Sequence, residues 1–201
     1  TLPNNTSRIG ACAFFNCKAL RRINSNVDGV FNIPQGVTAI NNYAFFNCLE
    51  AKEITLSNKV TSIGIKAFSG CKQIEKFNST TDGHLLVSTS CETIGDYAFE
   101  GLTLITDVVV PNSVTSIGNG AFKGCNSIVN ITLPFVGKTE SATGYESLFG
   151  YIFGYTITSS SVSKDGATCQ YRDGGKYYCY YIPRLLKNVV ITKTSSIGEY
   201  A

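Results

Sequence analysis

Apolar residues along the chain recur in short sets whose last two members lie two positions apart. Ile54 and Leu56, Val108 and Val110, Ile131 and Leu133, and Val189 and Ile191 all follow this rule. A spacing of two places both side chains on one face of a short strand. Ala51, Ile105, Ile128 and Leu186 open the same sets, while Pro34, Pro111 and Pro134 stand at strand ends. Proline suits that place because it cannot donate to a sheet ladder. A turn and a second short segment follow, such as Val114-Thr115-Ser116-Ile117-Gly118. The next piece, Ala-Phe-x-x-Cys, reads as a tight helical turn that points its Phe inward.

That last piece is part of a longer phrase, Ile-Gly-x-x-Ala-Phe-x-x-Cys. It runs Ile9, Gly10, Ala13, Phe14, Cys17, then Ile40, Ala44, Phe45, Cys48, then Ile63, Gly64, Ala67, Phe68, Cys71. A fourth copy has Leu102 in the Cys slot after Ile94, Gly95, Ala98 and Phe99, and a fifth ends at Cys125. A sixth starts at Ile197-Gly198 and stops at Ala201. Successive copies are 31, 23, 31, 23 and 80 residues apart. The base period is therefore 23, with eight extra residues in two units and fifty-seven in one. So few apolar residues per unit cannot close a core alone, so units must stack. The expected fold is a β-rich α/β solenoid, a right-handed superhelix with a parallel β-sheet face and short helical turns. Its period lies in the leucine-rich-repeat range.

The stretch from Val114 to Cys125, and the matches to it over residues 1–138 and 182–201, resemble the BspA-like class of leucine-rich repeats. These occur in surface and secreted proteins of anaerobic bacteria and some parasitic protists. Leu148 to Gly154 together with Tyr181-Ile182-Pro183 is similar to an insertion in some members. The resemblance implies adhesion or partner binding at a cell surface or outside the cell, and it supplies no catalytic residues.

The period breaks in three places. Asp28-Gly29 and Asp82-Gly83 sit between β-prone residues in the two eight-residue insertions, near 24–32 and 78–87. Asp-Gly is a hairpin signal, because glycine accepts the positive φ of a tight turn. Two matching hairpins on one edge are expected. The long insertion, residues 139–181, holds eight of the eleven tyrosines and a hairpin-tip signal at Asp173-Gly174-Gly175. It is expected to be a Tyr-rich subdomain folded about that tip, with Cys169 opposite Cys179. Residues 182–201 resume the repeat. Neither end shows a polar capping unit, so a longer array or end-to-end self-association is expected.

Composition narrows the chemistry. Charged residues are 15% with a net charge of +3 and no basic stripe, which points away from nucleic acid. No run of 18 apolar residues suggests membrane insertion. Cys17, Cys48, Cys71 and Cys125 share one repeat slot that Leu102 also fills, so they read as a column of small buried hydrophobes. Cys91 shares a slot with Val60 and Val114. No Cys-x-x-Cys exists and His84 is the single histidine, which leaves no metal set and no cofactor. His84 reads as a solvent-facing turn residue. Cys169 and Cys179 would pair as a disulfide in an oxidising compartment.

Two surfaces remain for binding. One is the outward strand row, with Asn24, Thr55, Asn78 and Thr132, beside a column of Arg22, Glu53, Lys76, Asp107, Asn130 and Asn188 that suits ion pairs between neighbours. The other is the insertion, through Tyr171, Tyr177, Tyr178, Tyr180 and Tyr181, whose rings offer large amphipathic contact area. The expected function is non-enzymatic protein–protein interaction or adhesion with an extracellular protein. A glycan ligand bound by the tyrosines and a structural, self-assembling spacer are the alternatives.

Overall fold

The computed structural model describes residues 1–158 and 167–194, with the backbone alone for residues 170–173. The sixth copy from Ile197 to Ala201 lies outside them.

The strand pattern closes into a solenoid with two parallel sheets. The larger has seven strands in the order Asn188–Ile191, Asn130–Leu133, Asp107–Val109, His84–Leu86, Lys76–Phe77, Glu53–Thr55 and Val30–Asn32. Ile23 extends it by a parallel bridge to Phe31. The smaller has five two-residue strands, Arg8–Ile9, Ala39–Ile40, Ser62–Ile63, Thr93–Ile94 and Ser116–Ile117. The coils between Val30 and Ile117 cross both sheets, and buried side chains line up in register between them. Ile40, Ile63, Ile94 and Ile117 form one buried row; Phe31, Ile54, Phe77, Leu85, Val108 and Ile131 form the other.

The Ala-Phe-x-x-Cys arcs depart from expectation. They contain no helix; they are chains of three-residue turns that hydrogen-bond to the next coil. Phe45, for example, donates its N–H to Ala67 O of the next coil (2.8 Å), while Phe46 and Cys48 close turns on Tyr43 O and Phe45 O. Alternate residues face the neighbouring coil, and left-handed backbone makes the alternation possible. Cys12, Tyr43, Lys66 and Tyr97 have φ of 56°, 57°, 52° and 56°. A helix would satisfy its N–H groups internally, and these arcs instead form a third ladder along the solenoid.

Inside the arcs the phenylalanines stack. Phe14–Phe45, Phe45–Phe68, Phe68–Phe99 and Phe99–Phe122 have ring centroids 5.1, 5.3, 6.0 and 5.5 Å apart and nearly parallel planes. Each fully buried ring removes apolar area worth about 2–3 kcal/mol. The glycine of Ile-Gly has its own reason. A Cβ on Gly64 would lie 2.6 Å from the backbone nitrogen of Asn42 in the preceding coil, and Gly95 and Gly118 meet the coil before them in the same way.

The two eight-residue insertions are not hairpins. Lys76–Phe77 pairs in parallel with His84–Leu86, and Ile23 with Phe31 in the same sense. Gly29 and Gly83, at φ 88° and 78°, turn the chain through a full small loop rather than back on itself. Each insertion therefore adds one extra strand to the larger sheet and none to the smaller.

The repeat also continues further than residue 138. Gly120 and Phe122 donate to Tyr151 O (3.0 Å) and Ile152 O (2.9 Å), and Leu148, Ile152 and Phe153 are buried with the core. The 3-10 turn Phe149–Phe153 thus stacks as another arc, 31 residues after Ala121-Phe122. What projects is a three-stranded antiparallel sheet, Tyr155–Thr158, Lys176–Tyr180 and Thr168–Asp173, with Gly174 and Gly175 at the tip.

Candidate functional site

The cysteines of the repeat slot pack against the core and also donate hydrogen bonds. Cys48, Cys71 and Cys125 are buried, and Cys17 is half-buried. Their thiols donate to carbonyl oxygens of the preceding coil: Cys48 to Phe14, Cys71 to Phe45 and Cys125 to Phe99, at 3.3, 3.0 and 3.1 Å. The slot therefore favours a small apolar group that also carries a weak donor. Burial pushes the Cys91 thiol up to about 11 and the Cys125 thiol up to about 12, so both stay protonated and unreactive at neutral pH. Cys12 is exposed, at the first of the left-handed arc positions. Among the described residues, no three or more His, Cys, Asp or Glu side chains form a group that could hold a metal ion. No helix among them is long and apolar enough to cross a membrane.

The charged column on the larger sheet is largely paired within itself. Lys76 Nζ lies 3.1 Å from Asp82 and 3.8 Å from Glu53. Asn188 donates to Asn130, and Asn130 to Asp107, both at 2.6 Å. His84 is not a turn residue: it is in register between Lys76 and Asp107, 3.9 Å from the Asp107 carboxylate. The Thr106 hydroxyl, with Asn130 and His84, holds the Asp107 carboxyl below its ordinary value against partial burial. A face so connected has little charge left to offer a ligand.

Of the outward row, Thr55 and Thr132 keep their place on the surface of the sheet. Asn24 and Asn78 have a different role. Both are left-handed, at φ 48° and 50°, and begin the two inserted loops. Asn24 Oδ1 accepts from Leu2 N–H (2.6 Å) and Asn78 Oδ1 from Leu56 N–H (2.7 Å). Their Nδ2 groups donate to Leu2 O and Leu86 O. These carboxamides replace strand hydrogen bonds where the backbone turns away, and are not free for a ligand.

Beside each of these asparagines is a groove. One, of about 370 Å³, is lined by Glu53, Thr55, Asn58, Asn78, Ser79 and Thr80, with Gln35 at its rim. The other, of about 700 Å³, is lined by Leu2, Pro3, Asn4, Asn24, Ser25 and Asn26. Leu2, Asn4, Asn24 and Ser25 recur as Leu56, Asn58, Asn78 and Ser79, each 54 residues on. The loops are built alike: Ser25 and Ser79 hydroxyls each accept an N–H two residues later at 3.0 Å. Gly29 and Gly83 donate to Arg21 O and Glu75 O at 2.6 and 2.7 Å.

The tyrosine insertion divides into packing and surface. Cys169 and Cys179 face each other across the hairpin and form a disulfide. Tyr180, expected as a contact residue, is fully buried, and its hydroxyl donates to Tyr145 O. Its ring lies where a Cβ on Gly150 would otherwise stand, so glycine is required there. Tyr178 is half-buried and stacks on Tyr145 with centroids 4.5 Å apart; Tyr155 packs edge-on beside them. These rings fasten the hairpin to the solenoid. Tyr177 and Tyr181 are half-buried, and the Tyr171 side chain lies outside the described residues.

A surface feature not anticipated from the sequence is an aromatic patch on the outside of the arcs. Phe15 and Phe46 stack at 5.0 Å, and Tyr43 meets both edge-on at 6.1 and 5.8 Å. Phe15 is 43% exposed. Its signal was present: Phe15 and Phe46 follow the inward Phe14 and Phe45, so neighbouring coils must bring them together.

A family model described as a BspA type leucine rich repeat region, in six copies, matches residues 1–81 and 26–139. No curated protein sequence matches the chain. Among solved structures, a leucine-rich repeat protein of T. pallidum is 28% identical with a TM-score of 0.54, over 64% of this chain and 52% of its own. One from Bacteroides ovatus is also 28% identical, with a TM-score of 0.50, over 64% of this chain and 35% of its own. The chain thus spans about half and about a third of these two proteins. Two sheets, stacked Phe arcs and a family match over residues 1–139 agree: the chain belongs to the BspA-type leucine-rich repeat family.

Proposed function

We propose that this chain is a non-enzymatic binding and adhesion module of a surface or secreted protein, engaging a protein partner. The observation that carries this reading is the Phe15–Tyr43–Phe46 patch. Phe15 is exposed with Tyr43 and Phe46 half-buried beside it, and aromatic rings clustered at a surface are enriched at the centre of protein interfaces. The reactive groups support it from the other side, because the buried thiols are held protonated and the His84–Asp107 column is paired internally. The Cys169–Cys179 disulfide fits an oxidising, extracellular setting.

The test is capture. The chain, displayed multivalently on beads, is expected to retain extracellular-matrix or cell-surface proteins, and a Phe15→Ser, Phe46→Ser double variant of unchanged melting temperature is expected to lose most of that retention. No retention by the unmodified chain would remove the reading. Retention unchanged in the double variant would move the contact away from the patch.

A further inference from the structure

We infer that Cys48 and Cys71 are a second disulfide site, closed between two adjacent coils when the chain folds in the presence of a small-molecule disulfide such as oxidised glutathione. The inference does not rest on the binding role proposed above.

The two cysteines hold the same slot in consecutive coils, and the arcs that carry them are hydrogen-bonded in register. Phe45 N–H donates to Ala67 O and Asn47 N–H to Ser69 O, at 2.8 and 2.9 Å. Backbones joined in this way run about 4.8 Å apart, inside the range of about 4.4–6.8 Å that a disulfide spans between Cα atoms. Both side chains lean back over the preceding coil, Cys48 towards Phe14 O (3.3 Å) and Cys71 towards Phe45 O (3.0 Å). The Cys71 sulfur thereby comes within hydrogen-bonding reach of the Cys48 sulfur. That contact makes the pair unequal. The Cys71 S–H, aided by the Cys17 backbone N–H, lowers the Cys48 thiol against its burial. The same contact, together with burial, holds Cys71 well above its ordinary value. Cys48 is therefore the thiol that ionises first, and the thiolate is the attacking species.

The other free thiols are placed differently. Cys125 has Leu102 in the slot of the coil before it, and Cys91 stands in a column with Val60 and Val114. Cys17 lies on the far side of Cys48, and what it presents to that sulfur is its backbone N–H. In the exchange, the Cys48 thiolate attacks one sulfur of the small disulfide, forming a mixed disulfide and releasing one thiolate. The Cys71 thiolate then attacks the Cys48 sulfur and releases the second. Two protein thiols give up two protons and two electrons, and the small disulfide becomes two thiols. Cys48 and Cys71 are fully buried in the finished fold, so the exchange takes place during folding, before their coils dock completely. The Cys169–Cys179 disulfide fits the same oxidising conditions. The new bond sits two residues from Phe46 and ties the coil that carries Tyr43 and Phe46 to the next one.

The test is oxidative refolding of the whole chain. The reduced, urea-unfolded protein is refolded in a glutathione redox buffer, alkylated, and digested with trypsin without reduction. Cys48 then leaves in the peptide 23–52 and Cys71 in 67–72, while Cys169 and Cys179 leave in 165–172 and 177–184. The ratio of oxidised to reduced glutathione is set so that 165–172 is joined to 177–184, which shows that the oxidant has acted. In that sample, mass spectrometry is expected to find 23–52 joined to 67–72 in most molecules. The linked species should vanish on adding dithiothreitol and in the Cys71→Ser variant, and should persist in Cys17→Ser. Recovery of Cys48 and Cys71 as alkylated thiols from the unmodified chain overturns the inference. So does a link from 23–52 to the peptide 9–18, which holds Cys17.

Discussion

The thiol of Cys71 donates to the carbonyl oxygen of Phe45 in the preceding coil, across 3.0 Å of fully buried space. That carbonyl already accepts the N–H of Cys48, so the thiol satisfies its second lone pair. Replacing Cys71 by Ala removes the donor and opens a small cavity, with an expected cost of about 1–3 kcal/mol. Cys71→Ser retains a donor and is expected to lose less. Urea unfolding of the three proteins decides it: equal midpoints for Ala and Ser would show that volume alone fills the slot.

The same burial makes stability fall in alkali. Cys91 and Cys125 are raised to about 11 and about 12 in the folded chain, against an ordinary value near 9. Above pH 9 the unfolded chain loses these protons first, so folding becomes less favourable until the folded values are passed. Melting temperature is expected to drop from about pH 9 up to the folded values of about 11 and about 12, by about 2–4 °C for each kcal/mol lost. Cys91→Val and Cys125→Leu copy residues that other repeats hold in those slots, and each should flatten the decline. A decline of the same slope in both variants would assign it to other groups, Tyr155 among them, which burial raises to about 12.

Gly64, Gly95 and Gly118 occupy the same repeat position and predict the same outcome. An added Cβ at Gly64 meets Asn42 and Asn41 backbone at 2.6 and 2.7 Å, and at Gly95 it meets Ile65 N at 2.5 Å. Gly64→Ala and Gly95→Ala must therefore each push two coils apart, at about 2 kcal/mol. Thermal unfolding would expose an error if either variant kept the unmodified midpoint.

Asn78→Ala removes two backbone-directed hydrogen bonds and places alanine at φ 50°. A loss of about 1–3 kcal/mol is expected from the unsatisfied backbone groups, and Asn78→Gly should recover only the conformational part. Hydrogen exchange at Leu56 reads the effect directly: its amide should become unprotected in both variants. Continued protection would mean that the carboxamide contributes no bond.

Much of this architecture is legible in the sequence because the core positions repeat. Ile40, Phe45 and Ile54 can be assigned from their copies, and Cys169 opposite Cys179 follows from folding at Gly174-Gly175. Other features are hidden because they depend on neighbours that the repeat does not name. Asp28-Gly29 carries a hairpin signal, yet the registry of Ile23 with Phe31 makes the loop advance rather than reverse. The arc at Leu148–Phe153 escapes notice because Ile152 stands where every other copy has Ala. Tyr180 looks like surface chemistry until Gly150 is seen to make room for it. The amides of Asn24 and Asn78 resemble ligands for the same reason that they are structural: they are good hydrogen-bonding groups beside a turned backbone.

The uneven strand count has a mechanical consequence. From Ile9 to Ile117 the smaller sheet advances through five strands, while the larger one fits in two additional steps at Phe31 and Leu85. Each step lengthens one flank by about 4.8 Å, like a wedge-shaped stone set into an arch. The stack must bow, with the larger sheet on the outside of the curve. The order of 31- and 23-residue coils is thus a curvature code, and adding or deleting one eight-residue loop would re-aim everything carried beyond it.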